Sequence, residues 1–184
     1  HQPRRQRQMC IRDRYGEGLY IGYRWFTARH LEPAVPFGHG LSYASFEWGT
    51  PNVTGSQSTD LSSDVVVEVD VTNTSERSGT EVVQLYVAPP ESTLHRPPIE
   101  LKGYAKLSLK PGETKTASIT LNFRSFAYFD PGDQFYNTLD ANSPVPRETG
   151  SRRTEPGWYA EPGVYDLVVA RSATNHHAVI EWEL

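Results

Sequence analysis

Along much of the chain, apolar and polar residues take turns. Val65, Val67, Val69 and Val71 form one set, with Glu68 and Asp70 between them. Successive side chains of an extended backbone point to opposite faces, so this spacing predicts a half-buried strand. The same period recurs at Val83, Leu85 and Val87, interrupted by Gln84 and Tyr86. It recurs again at Ala117, Ile119 and Leu121, between Ser118 and Thr120. Pro89 and Pro90 end the second of these strands, because proline has no amide to give to a ladder. Leu101 to Leu109 reads as a further strand, followed by a tight turn at Pro111-Gly112-Glu113. Tyr165, Leu167 and Val169 make one late stripe, and Ala178, Ile180 and Trp182 another. The stretch TNTSERSG, residues 72–79, is a turn by composition. About seven short strands at near-regular spacing predict an all-β, antiparallel sandwich.

Cys10 is the sole cysteine, so the Cys–Trp–Cys arrangement of antibody domains is excluded, as are an internal disulfide and a thiolate metal site. Within the immunoglobulin/fibronectin III-like sandwiches, this favours the fibronectin III-like variant. Two segments depart from the strand pattern. Residues 15–46 hold Tyr15, Tyr20, Tyr23, Trp25, Phe26, Phe37, Tyr43 and Phe46, and Pro33, Pro36, Gly38 and Gly40 argue against a long helix. So many rings on so little regular structure need a surface to pack against. Residues 130–162 form a long loop without a period, and they carry Phe135, Tyr136, Trp158 and Tyr159.

Charge changes the picture only at the start. The net charge is -4, yet residues 1–14 carry five arginines against Asp13, which leaves about -8 on the remainder. An acidic body without a basic, aromatic stripe argues against a nucleic-acid partner. Residues 1–14 read as a disordered or foreign tail. No apolar run reaches membrane-spanning length, so no membrane is expected.

Catalytic chemistry finds little support in the residues. A retaining glycosidase, for example, needs two carboxyls roughly 5–5.5 Å apart. Glu68 and Asp70 fall on an outward strand face, Glu81, Glu91, Glu100 and Glu113 flank strands or turns, and Glu181 and Glu183 alternate with core positions. All read as solvated acids. Glu17, between Gly16 and Gly18, reads as a structural contact. His39 lacks a partner at zinc spacing, and the adjacent His176 and His177 cannot make a helical ligand pair, so no metal and no cofactor is expected. Ser42 has no nucleophile-elbow pattern around it. The sequons at Asn52 and Asn73 are short Asn/Thr/Ser turns to which no function is assigned.

YGEG at 15–18, LYIGYRWF after it, and above all PFGHGLSYASF at 36–46 resemble family 3 glycoside hydrolases of the β-glucosidase type. The likeness continues through VTNTSERSGTEVVQLYV at 71–87, PPIELKGYAKLSLKPGET at 97–114 and EPGVYDLVVARSA at 161–173. The resemblance implies a C-terminal region of a larger enzyme. Its barrel would carry an aspartate nucleophile and its α/β-sandwich a glutamate acid/base, both upstream of residue 15. On that reading residues 15–42 are a remnant of the catalytic α/β domain and its linker, and 43–184 the fibronectin III-like domain. No catalytic residue is expected here. Tyr23, Trp25, Phe37, His39 and Tyr43 become candidates for contact with the upstream catalytic domains. Glycosides would be met only through the parent enzyme.

Three functions stay open on the sequence. The chain is an accessory, stabilising module of a glycosidase, inactive alone. Or it is a carbohydrate-binding module using Trp158, Tyr159, Tyr136 and Phe135, whose rings suit sugar faces. Or it is an adhesion sandwich, against which the aromatic segment argues. Residues 15–42, parted from their neighbour, are expected to be poorly ordered or to fold back over the sandwich. The sequence leaves periplasm, cell exterior and cytoplasm all open, and does not fix the sugar.

Overall fold

The computed structural model describes residues 18–55, 64–90, 96–132 and 154–184. Two four-stranded antiparallel sheets face each other. The first holds β1 (Phe46–Trp48), β2 (Asn52–Thr54), β3 (Val65–Asn73) and β6 (Thr114–Leu121); the second runs β10-β9-β4-β5, with β4 Gly79–Ala88, β5 Glu100–Leu109, β9 Val164–Ser172 and β10 Asn175–Glu183. β6 pairs with β3 along Val65–Thr72, so β1 and β2, which also pair with β3, lie end to end on its other edge. They act as one broken strand. Pro51 sits in the break, where an edge tolerates a residue without an amide. Counted so, the sandwich has the expected seven strands among the described residues.

The alternation read from the sequence builds the core. Val65, Val67, Val69, Val71, Val83, Leu85, Val87, Ala117, Ile119, Leu121, Tyr165, Leu167, Val169 and Trp182 all pack into one cluster between the sheets. β4 departs from the expectation. Gln84 and Tyr86, the residues placed on its outer face, are buried as well. The outer face of the second sheet carries its own cluster of Tyr86, Ile99, Val168, Ala170 and Ala173, and Tyr23 packs on it from the leader segment. A strand covered on both faces loses its alternation of burial.

The turn at 72–79 is organised by Asn73, which is fully buried. Its amide donates to the carbonyls of Arg77, at 2.7 Å, and Leu109, at 3.2 Å. Its oxygen accepts from the Ser75 amide, at 3.0 Å, and hydroxyl, at 2.7 Å. The first residue of that sequon is thus a turn-builder with its amide fully used.

Two short helices complete the described residues, α1 (Tyr23–Ala28) and α2 (Phe123–Phe126). The expected loop at 130–162 is closed at its base. β7 (Tyr128–Asp130) and β8 (Gly157–Tyr159) pair there as a two-stranded ribbon. Phe135 and Tyr136 lie outside the described residues.

Candidate interdomain surface

The leader folds back over the sandwich, the second of the two outcomes expected for it. α1 is capped by Gly22 at its start, and the chain leaves it through Arg29 and a left-handed His30, φ 52. The Leu31 amide reaches the Phe26 carbonyl at 2.9 Å, and the His30 amide reaches Thr27 at 3.2 Å. That pair of bonds is a Schellman closure, with histidine where glycine is usual. α1 buries none of its own residues completely.

One side of the leader is fastened down. The Tyr23 ring stacks on Phe37 with centroids 4.8 Å apart, and meets Tyr86 edge-on at 5.8 Å. The Tyr23 hydroxyl accepts from the Leu101 amide at 2.8 Å, next to the bulge at Lys102 in β5. Arg24 pairs with Glu100 at 2.9 Å, and Glu100 also faces Lys102 at 3.2 Å and Arg96 at 3.8 Å. Farther along, the Ala173 amide donates to the Phe37 carbonyl at 2.9 Å, and the Gln84 side chain donates to the Gly38 carbonyl at 3.0 Å.

The other side is bare. Leu19, Ile21, Trp25, Phe26, Leu31, Val35, Phe37, Leu41 and Tyr43 are all exposed large hydrophobics, and Leu41 and Tyr43 reach 94%. The Trp25 ring is met by the Arg29 guanidinium at 4.7 Å. A cavity of about 220 Å³ opens between Tyr23, Phe26, Val35, Phe37 and Ala173. A monomer rarely leaves so many large apolar side chains of one short segment to water. Tyr23, Trp25, Phe37, His39 and Tyr43 therefore divide: Tyr23 serves the sandwich, Phe37 is shared, and Trp25, His39 and Tyr43 face outward.

A second cavity, also about 220 Å³, lies where His39, Ser42, Glu81, Arg171 and Asn175 meet. Glu81 is not the solvated acid that its place in the sequence suggests. It forms an ion pair with Arg171 and accepts from the Trp48 indole at 3.1 Å. Burial pushes its carboxyl up, against the opposing pull of Arg171 and the Trp48 bond. Arg171 lies over the Trp48 ring at 4.5 Å and donates to the Phe46 carbonyl at 2.9 Å. His177 packs edge-on against Trp48 at 5.3 Å and bonds the Gly49 carbonyl at 2.8 Å. The group ties the edge strand β1 to the second sheet. Glu100, with its three cations, is the other acid wrongly read as solvated. Nothing local in the sequence marks Glu81, since its partner Arg171 is 90 positions away, whereas Glu100 has Arg96 and Lys102 close by and only Arg24 comes from a distant segment.

The ribbon places Phe129 and Trp158 directly opposite each other, at 5.6 Å between rings, with both exposed. Arg124 lies over Trp158 at 5.1 Å. Tyr159 is half-buried, its hydroxyl bonded to the Glu155 carbonyl at 2.9 Å. Among the described residues, no group of three His, Cys, Asp or Glu is placed to hold a metal ion. No described helix is long and apolar enough to cross a membrane.

Comparison with known proteins agrees with this architecture. The family model for a fibronectin type III-like domain matches residues 81–173, half of the chain. A β-glucosidase of Rhizobium radiobacter is 40% identical over 172 residues, which cover 93% of this chain but 18% of that protein. An exo-α-(1→6)-L-arabinopyranosidase of Bifidobacterium breve is 37% identical over 86% of the chain and 18% of its own length. The crystal structure of the Bifidobacterium adolescentis GH3 β-glucosidase superposes with a TM-score of 0.74 at 34% identity, covering 92% of this chain and 21% of that one. The chain thus spans about a fifth of the proteins it matches. With its two-sheet sandwich and this match, the chain belongs to the fibronectin type III-like domain family, in a form similar over most of its length to part of family 3 β-glucosidases.

Proposed function

We propose that the chain is the accessory module of a glycoside hydrolase of the β-glucosidase type, packing on and stabilising the catalytic part of its parent through residues 19–43. The bare apolar side of the leader carries this reading. Trp25, His39 and Tyr43 would meet the catalytic part, while Tyr23 and Phe37 hold the segment to the sandwich. The proteins it resembles are about five times its length, which supplies a partner of the right kind. The module contributes no nucleophile and no acid/base. Glu81 and Glu100, two enclosed acids among the described residues, are each held by cations, which suits a structural role and not proton transfer. One relative is named an arabinopyranosidase and others β-glucosidases, so the sugar is chosen outside this region.

The test joins the purified chain to the upstream catalytic part supplied in trans. Association on gel filtration is expected, and Ile21→Asp with Leu41→Asp should abolish it, whereas Thr120→Asp, exposed on β6 of the first sheet and away from the leader, should not. The chain alone should leave nitrophenyl β-glucoside intact. Association that ignores the leader substitutions, or hydrolysis by the chain alone, would defeat the proposal.

A second reading has one observation behind it, the outward Phe129 and Trp158 pair, which offers ring faces to a sugar. Retention of the chain on insoluble β-glucan, lost in Trp158→Ala, would favour a carbohydrate-binding module instead.

A further inference from the structure

We propose that residues 19–38 are a preassembled docking face, locked onto the second sheet by Gln84, and that Gln84 is the positioning residue through which the sandwich sets how the catalytic part sits. The occupant of this face is the catalytic part of the parent, and to that extent the inference rests on the function proposed above.

Gln84 sits on the outer face of β4, a strand internal to its sheet, and is 4% exposed. A buried amide in such a place is costly unless its bonds are made. Here they are. Its nitrogen donates to the Gly38 carbonyl at 3.0 Å and to the Arg171 carbonyl at 2.8 Å. Its oxygen accepts from the Tyr86 hydroxyl at 2.6 Å. Burial, with Tyr23 nearby, pushes the Tyr86 phenol up, so it stays a donor. The neighbouring Phe37 carbonyl takes the Ala173 amide. Two successive carbonyls of the leader are therefore gripped by β4 and by the residue that follows β9.

Gly38 makes the grip feasible. Its φ is 80, and a Cβ there would fall inside the Gln84 amide. This is the physical reason for the glycine after Phe37. At the other end Tyr23 and Arg24 are bonded to β5. A segment pinned at both ends presents Ile21, Phe26, Leu31 and Val35 in a fixed array before any partner arrives. A loose linker would have to be ordered on binding, and the clasp removes that cost.

Amide exchange on the purified chain tests the clasp. The bonded amides of Arg29, His30 and Leu31 should be protected in the wild type. In Gln84→Leu they should exchange about tenfold faster, while those of β3 and β9 keep their rates. Gly38→Ala should do the same from the leader side, and it keeps the test alive if Gln84→Leu fails to fold, because Gly38 lies outside the strands. Wild-type leader amides exchanging as in a free peptide would overturn the inference. So would a rise shared equally by β3 and β9, which would make Gln84 a prop of the sheet only. A protected leader that does not associate with the catalytic part would defeat the function proposed above and spare the clasp. Association through a freely exchanging leader would do the reverse.

Discussion

β3 and the leader are both rich in large apolar residues, and they differ in what covers them. Val65, Val67, Val69 and Val71 are at most 3% exposed, closed over by the opposite sheet. Ile21, Leu31, Val35, Leu41 and Tyr43 stand at 51% exposed or more, on a segment that is itself well anchored. The first arrangement spends apolar surface on the stability of the chain. The second holds it in reserve for another body. The difference teaches that anchoring and coverage are separate properties: a segment can be fixed in place by a few polar bonds and ring contacts while its apolar side stays open.

The sharpest way to break this contrast is truncation on each side. Leu167→Ala removes a fully buried side chain from between the sheets and should cost about 2–5 kcal/mol in urea unfolding. Leu41→Ala, at 94% exposure, should move stability by less than about 0.5 kcal/mol. Comparable losses at the two positions would mean that the leader is part of the core.

A middle-sized effect is expected at the border of the two regions. Arg171→Ala deletes the ion pair to Glu81, the bond to Phe46 and the stack on Trp48 together. It should cost about 1–2 kcal/mol, under the roughly 3–5 kcal/mol of a fully buried pair, because both side chains keep some contact with water. A double-mutant cycle with Glu81→Gln gives the coupling directly, and a coupling near zero would show Arg171 acting through packing alone.

How far the sequence could be read follows the same division. The period-two stripes around Val67, Leu85, Ile119 and Leu167 are local, so they announce strands without knowledge of any neighbour. The burial of Gln84 and Tyr86 was not legible, because it depends on Tyr23 and Gly38, some 46 or more residues away in sequence. The PFGHG stretch stood out as a resemblance, yet its reason appears only when Gly38 is seen against the Gln84 amide. Glu81 looked solvated because Arg171 is far away in sequence, and Glu100 because its neighbours Arg96 and Lys102 do not reveal that Arg24 of the leader also closes on it. The ribbon was hidden for another cause: Tyr128–Asp130 and Gly157–Tyr159 are each three residues long, too short to show a period.

A smaller and local gain should come from His30→Gly. Histidine pays for its left-handed backbone at the end of α1, while glycine is at ease there, and the net benefit should be about 0.5–1 kcal/mol. Because α1 is docked on the sandwich and not woven into it, the urea midpoint should not change. The amides of His30 and Leu31 should exchange about two- to fivefold more slowly, the factor that free energy implies. A shift of the global midpoint instead would show that the leader and the sandwich unfold together.

The finest distinction lies in two carboxylates that respond to pH in opposite senses. Glu113 is held below its ordinary value of 4.5, chiefly by the Lys110 amide, which together with Lys115 outweighs the opposing effect of desolvation. Its contribution to stability is present above 4.5 and is lost as pH falls through its lowered value. Glu81, raised by burial, behaves the other way: its contribution is complete below 4.5 and fades as pH rises through its raised value. Glu113→Gln should therefore flatten the decline of stability on acidification, by a small amount because the group is fully exposed. Glu81→Gln should flatten a decline on the alkaline side of 4.5. Unfolding midpoints followed across that range for the two variants separate the cases, and an identical change in slope for both would refute the assignment of opposite environments to the turn and to the Arg171 cluster.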